Sequence, residues 1–121
     1  MENTALHQWL RSQAEGAELV ISVCTGSAVL AAVDLLDGKR AATNKNAFAW
    51  ATSCGPHVDW QKQARWVRDG KFFTSSGVSA GMDMSLGVIA HLLAEAAADQ
   101  VAIWAEYNWH RDADQDPFAI V

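Results

Sequence analysis

One stretch near the start of the chain is unusually rich in β-branched residues. Residues 18–23 read Glu-Leu-Val-Ile-Ser-Val, which is typical of a strand covered on both faces in a parallel sheet. Before it, Leu6, Trp9 and Leu10 recur at helical spacing. This spacing predicts a helix over residues 4–14. The chain therefore opens with a helix followed by a buried strand.

A second helix and strand are predicted directly after residue 23. Residues 27–36 are almost entirely apolar, and Asp37-Gly38 follows them as a helix C-cap. Residues 39–43 then favour a short strand. A strand, a helix and a strand in this order predict a right-handed parallel crossover. We expect a short helix over residues 46–52 to follow.

The second half of the chain combines a hairpin with long helices. Asp69-Gly70 lies between the apolar runs of residues 64–68 and 72–75, and this arrangement indicates a β-hairpin. The small residues 76–81 open a helix that we expect to continue to about residue 97. A last helix is predicted over residues 99–107, with an irregular polar tail after it.

These elements predict an α/β fold, specifically a three-layer sandwich with a mainly parallel sheet and a β-hairpin. A length of 121 residues supports one compact core, so residues 1–121 are interpreted as a single domain. Three of the six tryptophans, Trp9, Trp66 and Trp104, are expected on core-facing positions.

Composition narrows the classes of partner. With 9 basic and 14 acidic residues the net charge is -5, which argues against binding to nucleic acid. The sequence shows neither a signal-peptide pattern nor an uninterrupted apolar run of membrane-spanning length. We therefore predict a cytoplasmic protein whose partner is a small molecule. The four histidines lack the close spacing of metal ligands, and neither a metal nor a cofactor is predicted.

The residue that promises chemistry is Cys24, which stands where the strand ends and the next helix begins. This arrangement resembles a nucleophile elbow, in which a small residue such as Gly26 lets strand and helix approach. The positive end of the helix would favour the thiolate, and the N–H groups of Thr25 and Gly26 would face an oxyanion. The competing interpretation is that Cys24 is a small buried apolar residue, as free cysteines usually are.

Three segments of the sequence resemble the ThiJ/PfpI family, a branch of the glutamine-amidotransferase-like superfamily. The nearest part of that family holds isonitrile hydratases and the amidase-like sensor domains of AraC-type regulators. The resemblance implies a flavodoxin-like fold, a nucleophilic Cys24 and a homodimer. The segments are Ser22-Val23-Cys24-Thr25-Gly26-Ser27, Leu35-Leu36-Asp37-Gly38-Lys39-Arg40-Ala41-Ala42-Thr43 and Thr74-Ser75-Ser76-Gly77-Val78-Ser79-Ala80-Gly81-Met82-Asp83.

The sequence also departs from the family pattern in two ways. Members of the family begin with a βαβ portion whose first strand carries an acidic residue beside the cysteine. The resemblance implies that this chain is N-terminally truncated and represents the C-terminal two-thirds of the domain. Where many members have a histidine, this sequence has Asn44, which orients a ligand but does not shuttle a proton at neutral pH.

The resemblance further implies that Asn44, Gly77, Val78 and Asp83 line the pocket beside Cys24. Asp83 is equally compatible with the first turn of a helix, where a carboxylate interacts favourably with the helix dipole. His57, beside Gly55-Pro56, is a remote candidate for a base.

Two hypotheses of function follow from these residues, beside a third in which the chain is a truncated structural remnant that dimerises through exposed apolar surface. The first is a cysteine-dependent hydratase or hydrolase that acts on a small electrophilic substrate such as an isonitrile, which would make it a lyase. The second is a non-catalytic domain that senses a ligand or a redox change, related to transcription regulators.

Overall fold

The computed structural model describes residues 3–119, and within them helices and strands alternate along most of the chain. The helices are α1 (Thr4–Gly16), α2 (Gly26–Ala32), α3 (Phe48–Ser53), α4 (Val78–Leu92) and α5 (Glu95–Trp104). The strands are β1 (Val20–Ser22), β2 (Arg40–Ala41), β3 (Asp59–Trp60), β4 (Trp66–Asp69) and β5 (Phe72–Ser75). None of the helices in this part of the chain is both long enough and apolar enough to cross a bilayer.

The strands form a mixed arrangement of two small sheets. In the first sheet, with order β1-β5-β4, β1 runs parallel to β5 and β4 runs antiparallel to it. In the second sheet, β2 and β3 are parallel. The predicted hairpin is confirmed, because Asp69 pairs with Phe72 and Gly70 takes the positive φ of 60° that the tight turn requires. Parallel pairing is present, but the sheet is mixed.

Helices cover the first sheet on both faces, as a layered α/β architecture requires. The neighbouring residues Phe72 and Phe73 point to opposite faces of β5 because side chains alternate along a strand. Phe72 packs with Leu30 of α2, and Phe73 packs with Met84 of α4. Each buried phenylalanine contributes roughly 1.5–3 kcal/mol of hydrophobic stabilisation.

The expectation that residues 18–23 are covered on both faces is wrong for one face. Ile21 and Val23 remain 47% and 41% exposed. Both lie on the α4 side of β1, which is an edge strand of the three-stranded sheet, and the contact of Val23 with Gly81 of α4 covers this face only in part. The β-branched residues correctly indicate a strand, but they do not indicate how much of it is buried. Its burial is incomplete because β1 is an edge strand.

The helix after Cys24 is shorter than predicted and ends at Ala32 instead of near residue 36. Its end is a Schellman-type turn, in which Asp34 takes the left-handed φ of 66° and the Leu35 N–H donates to the Leu30 carbonyl at 3.1 Å. Aspartate tolerates this conformation better than most residues. The glycine signal at Gly38, with φ of 75°, belongs to the turn before β2.

The predicted helix to about residue 97 is interrupted, because α4 ends at Leu92 and α5 begins at Glu95. The break lets Ala98 and Ala102 of α5 fold back onto Leu86 of α4. Of the tryptophans expected in the core, Trp66 is buried, whereas Trp9 and Trp104 are exposed.

Candidate functional site

Cys24 occupies a strained turn between β1 and α2. Its φ of 59° lies in the left-handed region, which costs a residue with a Cβ roughly 1–2 kcal/mol. The side chain is partly exposed, which differs from the interpretation of Cys24 as a fully buried apolar residue. The backbone geometry is that of the sharp strand-to-helix turn predicted from the sequence.

Three hydrogen bonds hold the backbone of Cys24 in this conformation. Its N–H donates to the Ser76 carbonyl at 2.9 Å, which continues the pairing of β1 with β5. Its carbonyl accepts the hydroxyls of Thr43 at 3.1 Å and Ser27 at 3.2 Å. Each such bond contributes about 0.5–1.5 kcal/mol, so together they offset the cost of the left-handed conformation.

The amides that follow Cys24 differ in their availability. The Gly26 N–H donates to the Val23 carbonyl at 3.0 Å, so in this conformation it is not free for an oxyanion. The Thr25 N–H makes no hydrogen bond with any residue from 3 to 119. Within the same range the Thr25 hydroxyl neither caps α2 nor binds the Cys24 sulfur. Of the two predicted amide donors, only Thr25 is unengaged.

The close approach of a helix to the end of β1 occurs at Gly81 and not at Gly26. A Cβ built on Gly26 would lie 3.5 Å from the Ser22 Cβ, an ordinary contact. A Cβ on Gly81 would lie only 2.6 Å from Cγ1 of Val23. Glycine at position 81 therefore lets α4 pack against the residue that precedes Cys24.

A cavity of about 230 Å³ lies beside the elbow. It contains two of the predicted pocket residues, Asn44 and Gly77, and Cys24 itself is not in its wall. The Asn44 Oδ1 accepts the Ala47 N–H at 2.8 Å and so fixes the turn before α3. The cavity is lined by Asn44, Lys45, Asn46, Arg65, Ser76, Gly77, Ser79, Ala80, Asp116 and Phe118.

The other two predicted pocket residues lie elsewhere. Val78 is exposed at the start of α4, outside the cavity wall. Asp83 is fully buried, and its Oδ2 accepts a hydrogen bond from the Arg65 Nε at 2.9 Å and forms an ion pair with a terminal nitrogen of Arg65 at 2.7 Å. The Asp83 Oδ1 accepts the His110 N–H at 2.9 Å. Asp83 thus holds Arg65 from behind the cavity.

Four charged side chains meet at this point of the structure. Arg65 pairs with Asp83 and lies 3.7 Å from Asp116, and Lys45 lies 3.6 Å from the same Asp116 carboxylate. Burial lowers the pKa of Lys45 below 10.5, while the charge of Asp116 and its hydrogen bond oppose that shift. The two cations and two anions balance, which makes their shared burial tolerable.

Sequence reasoning missed Lys45, Arg65 and Asp116 as site residues. Arg65 could have been found from the sequence, since it is a charged residue inside the apolar run of residues 64–67. A charged side chain in such a run is normally paired with an opposite charge. His57 lies near the start of β2, because its carbonyl accepts the Gly38 N–H just before that strand begins. Cys24, in contrast, lies where β1 ends, so His57 is at the other end of the strands. Residues 3–119 contain no group of three side chains able to hold a metal ion.

Comparisons with known proteins bear on this arrangement. The profile of the DJ-1/PfpI family matches residues 1–91. The chain is 40% identical over 109 residues to an isonitrile hydratase of Pseudomonas putida, covering 88% of this chain and 46% of that protein. It is 34% identical to the HTH-type transcriptional regulator CdhR of Pseudomonas aeruginosa, covering 81% of this chain and 29% of that protein. The chain thus spans less than half the length of these relatives.

The fold has solved counterparts. The crystal structure of a ThiJ/PfpI family protein from Pseudomonas syringae superposes with a TM-score of 0.71 at 29% identity. That match covers 95% of this chain and 44% of the other. The likeness supports a flavodoxin-like arrangement of these helices and strands.

Proposed function

The chain belongs to the DJ-1/PfpI family, and from that premise we propose that Cys24 is the nucleophile of a hydratase or hydrolase acting on a small electrophilic molecule such as an isonitrile. The observation that carries this proposal is the left-handed φ of 59° at Cys24, held by three backbone hydrogen bonds. Strain maintained in this way is typical of functional residues. The similarity to an isonitrile hydratase supports the choice of substrate class.

In this mechanism the Cys24 thiolate forms a bond to the terminal carbon of the isonitrile, and the same carbon takes up a proton, which gives a thioimidate. Water then adds to the same carbon, the carbon–sulfur bond breaks, and the product is an N-substituted formamide. The Thr25 N–H is the donor available to stabilise charge that develops during these steps. The net reaction adds one water molecule to the isonitrile and regenerates the thiolate.

The proton requires an acid that Asn44 does not supply. We propose that an acidic residue reaches Cys24 from a strand placed along the free edge of β1, as the family resemblance implies. Within residues 3–119 β1 is an edge strand, so its outer backbone groups are open to pairing with another strand, which supports the proposal. A strand there would extend the sheet and bring its side chains next to the elbow.

The two cysteines provide a direct test of the elbow. Cys24 lies in the strained turn before α2 and is partly exposed, whereas the Cys54 thiol donates a hydrogen bond to the Trp50 carbonyl at 3.6 Å. We expect iodoacetamide to alkylate Cys24 several-fold faster than Cys54 at pH 7, as measured by mass spectrometry of peptides. Equal rates would argue against an activated Cys24. Turnover of an isonitrile that persists in Cys24→Ala would exclude covalent catalysis at this residue.

The second candidate function is sensing of a small ligand without turnover. It is favoured by the 34% identity to a transcriptional regulator and by the presence of Asn44 where catalysis would use a proton-shuttling group. If the chain only senses a ligand, Cys24→Ala should bind that ligand as tightly as the wild type. A fusion of the wild-type chain with the strand that carries the acidic residue in its relatives should then show no turnover.

We also propose that the protein is a homodimer in the cytoplasm. Sedimentation tests the dimer, and cell fractionation tests the location.

A further inference from the structure

The cavity beside the elbow contains two buried cations with unused hydrogen-bond donors. The Arg65 side chain is only 9% exposed, and its Nε donates to Asp83 at 2.9 Å. One terminal nitrogen, NH2, forms an ion pair with the same carboxylate at 2.7 Å and donates to the Ser79 hydroxyl at 3.5 Å. The other terminal nitrogen, NH1, makes no hydrogen bond within residues 3–119 and lies 3.7 Å from Asp116. The Lys45 Nζ donates to the Ala64 carbonyl at 2.7 Å, which leaves two of its three protons for Asp116, 3.6 Å away, and for a ligand.

An acceptor lies next to these donors. The Asp116 side chain is 1% exposed, and its two oxygens accept the Ser76 hydroxyl at 2.8 Å and the Phe118 N–H at 3.1 Å. A carboxylate oxygen has two lone pairs, so each oxygen keeps acceptor capacity. Because Lys45, Arg65 and Asp116 all line the cavity, a ligand there meets donors and an acceptor side by side.

Charge balance decides which class of ligand fits. Lys45 and Arg65 carry two positive charges, and Asp83 and Asp116 carry two negative charges. An anionic ligand would leave one uncompensated negative charge in a buried place, which is unfavourable. A neutral ligand with an adjacent acceptor and donor satisfies the unused groups and keeps the balance.

We propose that this cavity binds a neutral amide, whose carbonyl oxygen accepts from Arg65 and Lys45 and whose N–H donates to Asp116. A volume of about 230 Å³ exceeds the roughly 150 Å³ that encloses a benzene-sized molecule, so an amide with a small substituent fits. Ala80 and Phe118 form an apolar part of the wall that contacts the substituent. The site is separate from Cys24, and its occupancy does not depend on catalysis there.

The test compares acetamide with acetate, which has nearly the same shape and carries a negative charge. Each is titrated into the full 15N-labelled chain at constant ionic strength, and the amide signals of Ser76 and Gly77 and the Arg65 Nε–H signal are followed by NMR. We expect saturable shifts with acetamide at a Kd of about 1 mM, as is reasonable for four heavy atoms, and at least tenfold weaker binding of acetate. Acetate binding as tightly as acetamide, or no saturation by acetamide, would overturn the proposal.

Two variants sharpen the result. Asp116→Asn removes one negative charge and should reverse the preference, so that acetate binds more tightly than acetamide. If this variant does not fold, Ser79→Leu fills the cavity from an exposed position at its wall and should abolish the acetamide shifts. Ser12→Leu, an exposed helical serine outside the cavity, is the control and should bind normally. Acetamide binding unaffected by Ser79→Leu would refute the site.

A further control separates this proposal from that for Cys24. Cys24→Ala should leave the acetamide titration unchanged even though it removes the nucleophile. Turnover that persists in Cys24→Ala while acetamide still binds would contradict only the nucleophile. Absence of acetamide binding to the wild-type chain, together with loss of turnover in Cys24→Ala, would contradict only the amide site.

Discussion

Replacing Cys24 by alanine and by glycine measures the strain at the elbow directly. Alanine keeps the Cβ and hence the left-handed penalty of about 1–2 kcal/mol that accompanies the φ of 59°. Glycine removes that penalty but loses about 0.5–1 kcal/mol through the greater freedom of the unfolded chain. Cys24→Gly should therefore be more stable than Cys24→Ala by up to about 1.5 kcal/mol, with a midpoint of about 0.75 kcal/mol. At ordinary helix or strand positions the order is the opposite.

Urea unfolding of both variants gives this difference from the two midpoints at a common slope. For a domain of this size it corresponds to roughly 2–5 °C in Tm. The matched pair Val29→Ala and Val29→Gly, in the interior of α2, should show the usual order, with alanine more stable by about 1 kcal/mol. If alanine is also the more stable replacement at position 24, the backbone there is not strained and the elbow interpretation fails.

Three further outcomes follow from the same geometry. Gly81→Ala should destabilise the fold by up to about 2 kcal/mol, because the overpacking by a Cβ 2.6 Å from Val23 outweighs the gain of about 1 kcal/mol that alanine has over glycine in a helix. In chemical denaturation Val23→Ala should recover most of this loss, and strictly additive effects would contradict the contact. Arg65→Met should cost about 3–5 kcal/mol, since it leaves the buried Asp83 without its cation, and a loss below about 1 kcal/mol would disprove that role. Because burial lowers the pKa of Lys45 below 10.5, the unfolded chain binds more protons between the lowered pKa and 10.5. Stability should therefore rise with pH across this window, and Lys45→Met should flatten the rise in unfolding measured up to about pH 11.

The features that the sequence predicted correctly are those decided by neighbours along the chain. The hairpin follows from Asp69-Gly70, because glycine readily takes the φ of 60° that this turn needs. The turn at Cys24 follows from the abrupt change from a β-branched run to a small, helix-forming run. Both depend on a few consecutive residues, so local preferences suffice.

The features that the sequence did not reveal depend on contacts between distant segments. Arg65 and Asp116 are 51 positions apart along the chain, and nothing local indicates that the tail returns to β4. Trp104 has the spacing of a core residue, yet α5 buries Ala98 and Ala102 instead. The α4–α5 break contains neither glycine nor proline, and packing of the two helices against each other accounts for it.

Ser76 contacts both the elbow and the charged cavity, the first through its backbone and the second through its side chain. Its carbonyl accepts the Cys24 N–H, whereas its hydroxyl donates to Asp116. The support of the strained cysteine is therefore a main-chain contact that any small residue at position 76 would preserve. The support of Asp116 needs a hydroxyl at the same position. Because Ser76 is buried, the elbow requires only that this side chain be small, and the hydroxyl is explained by its contacts with Asp116 and with the Arg65 carbonyl.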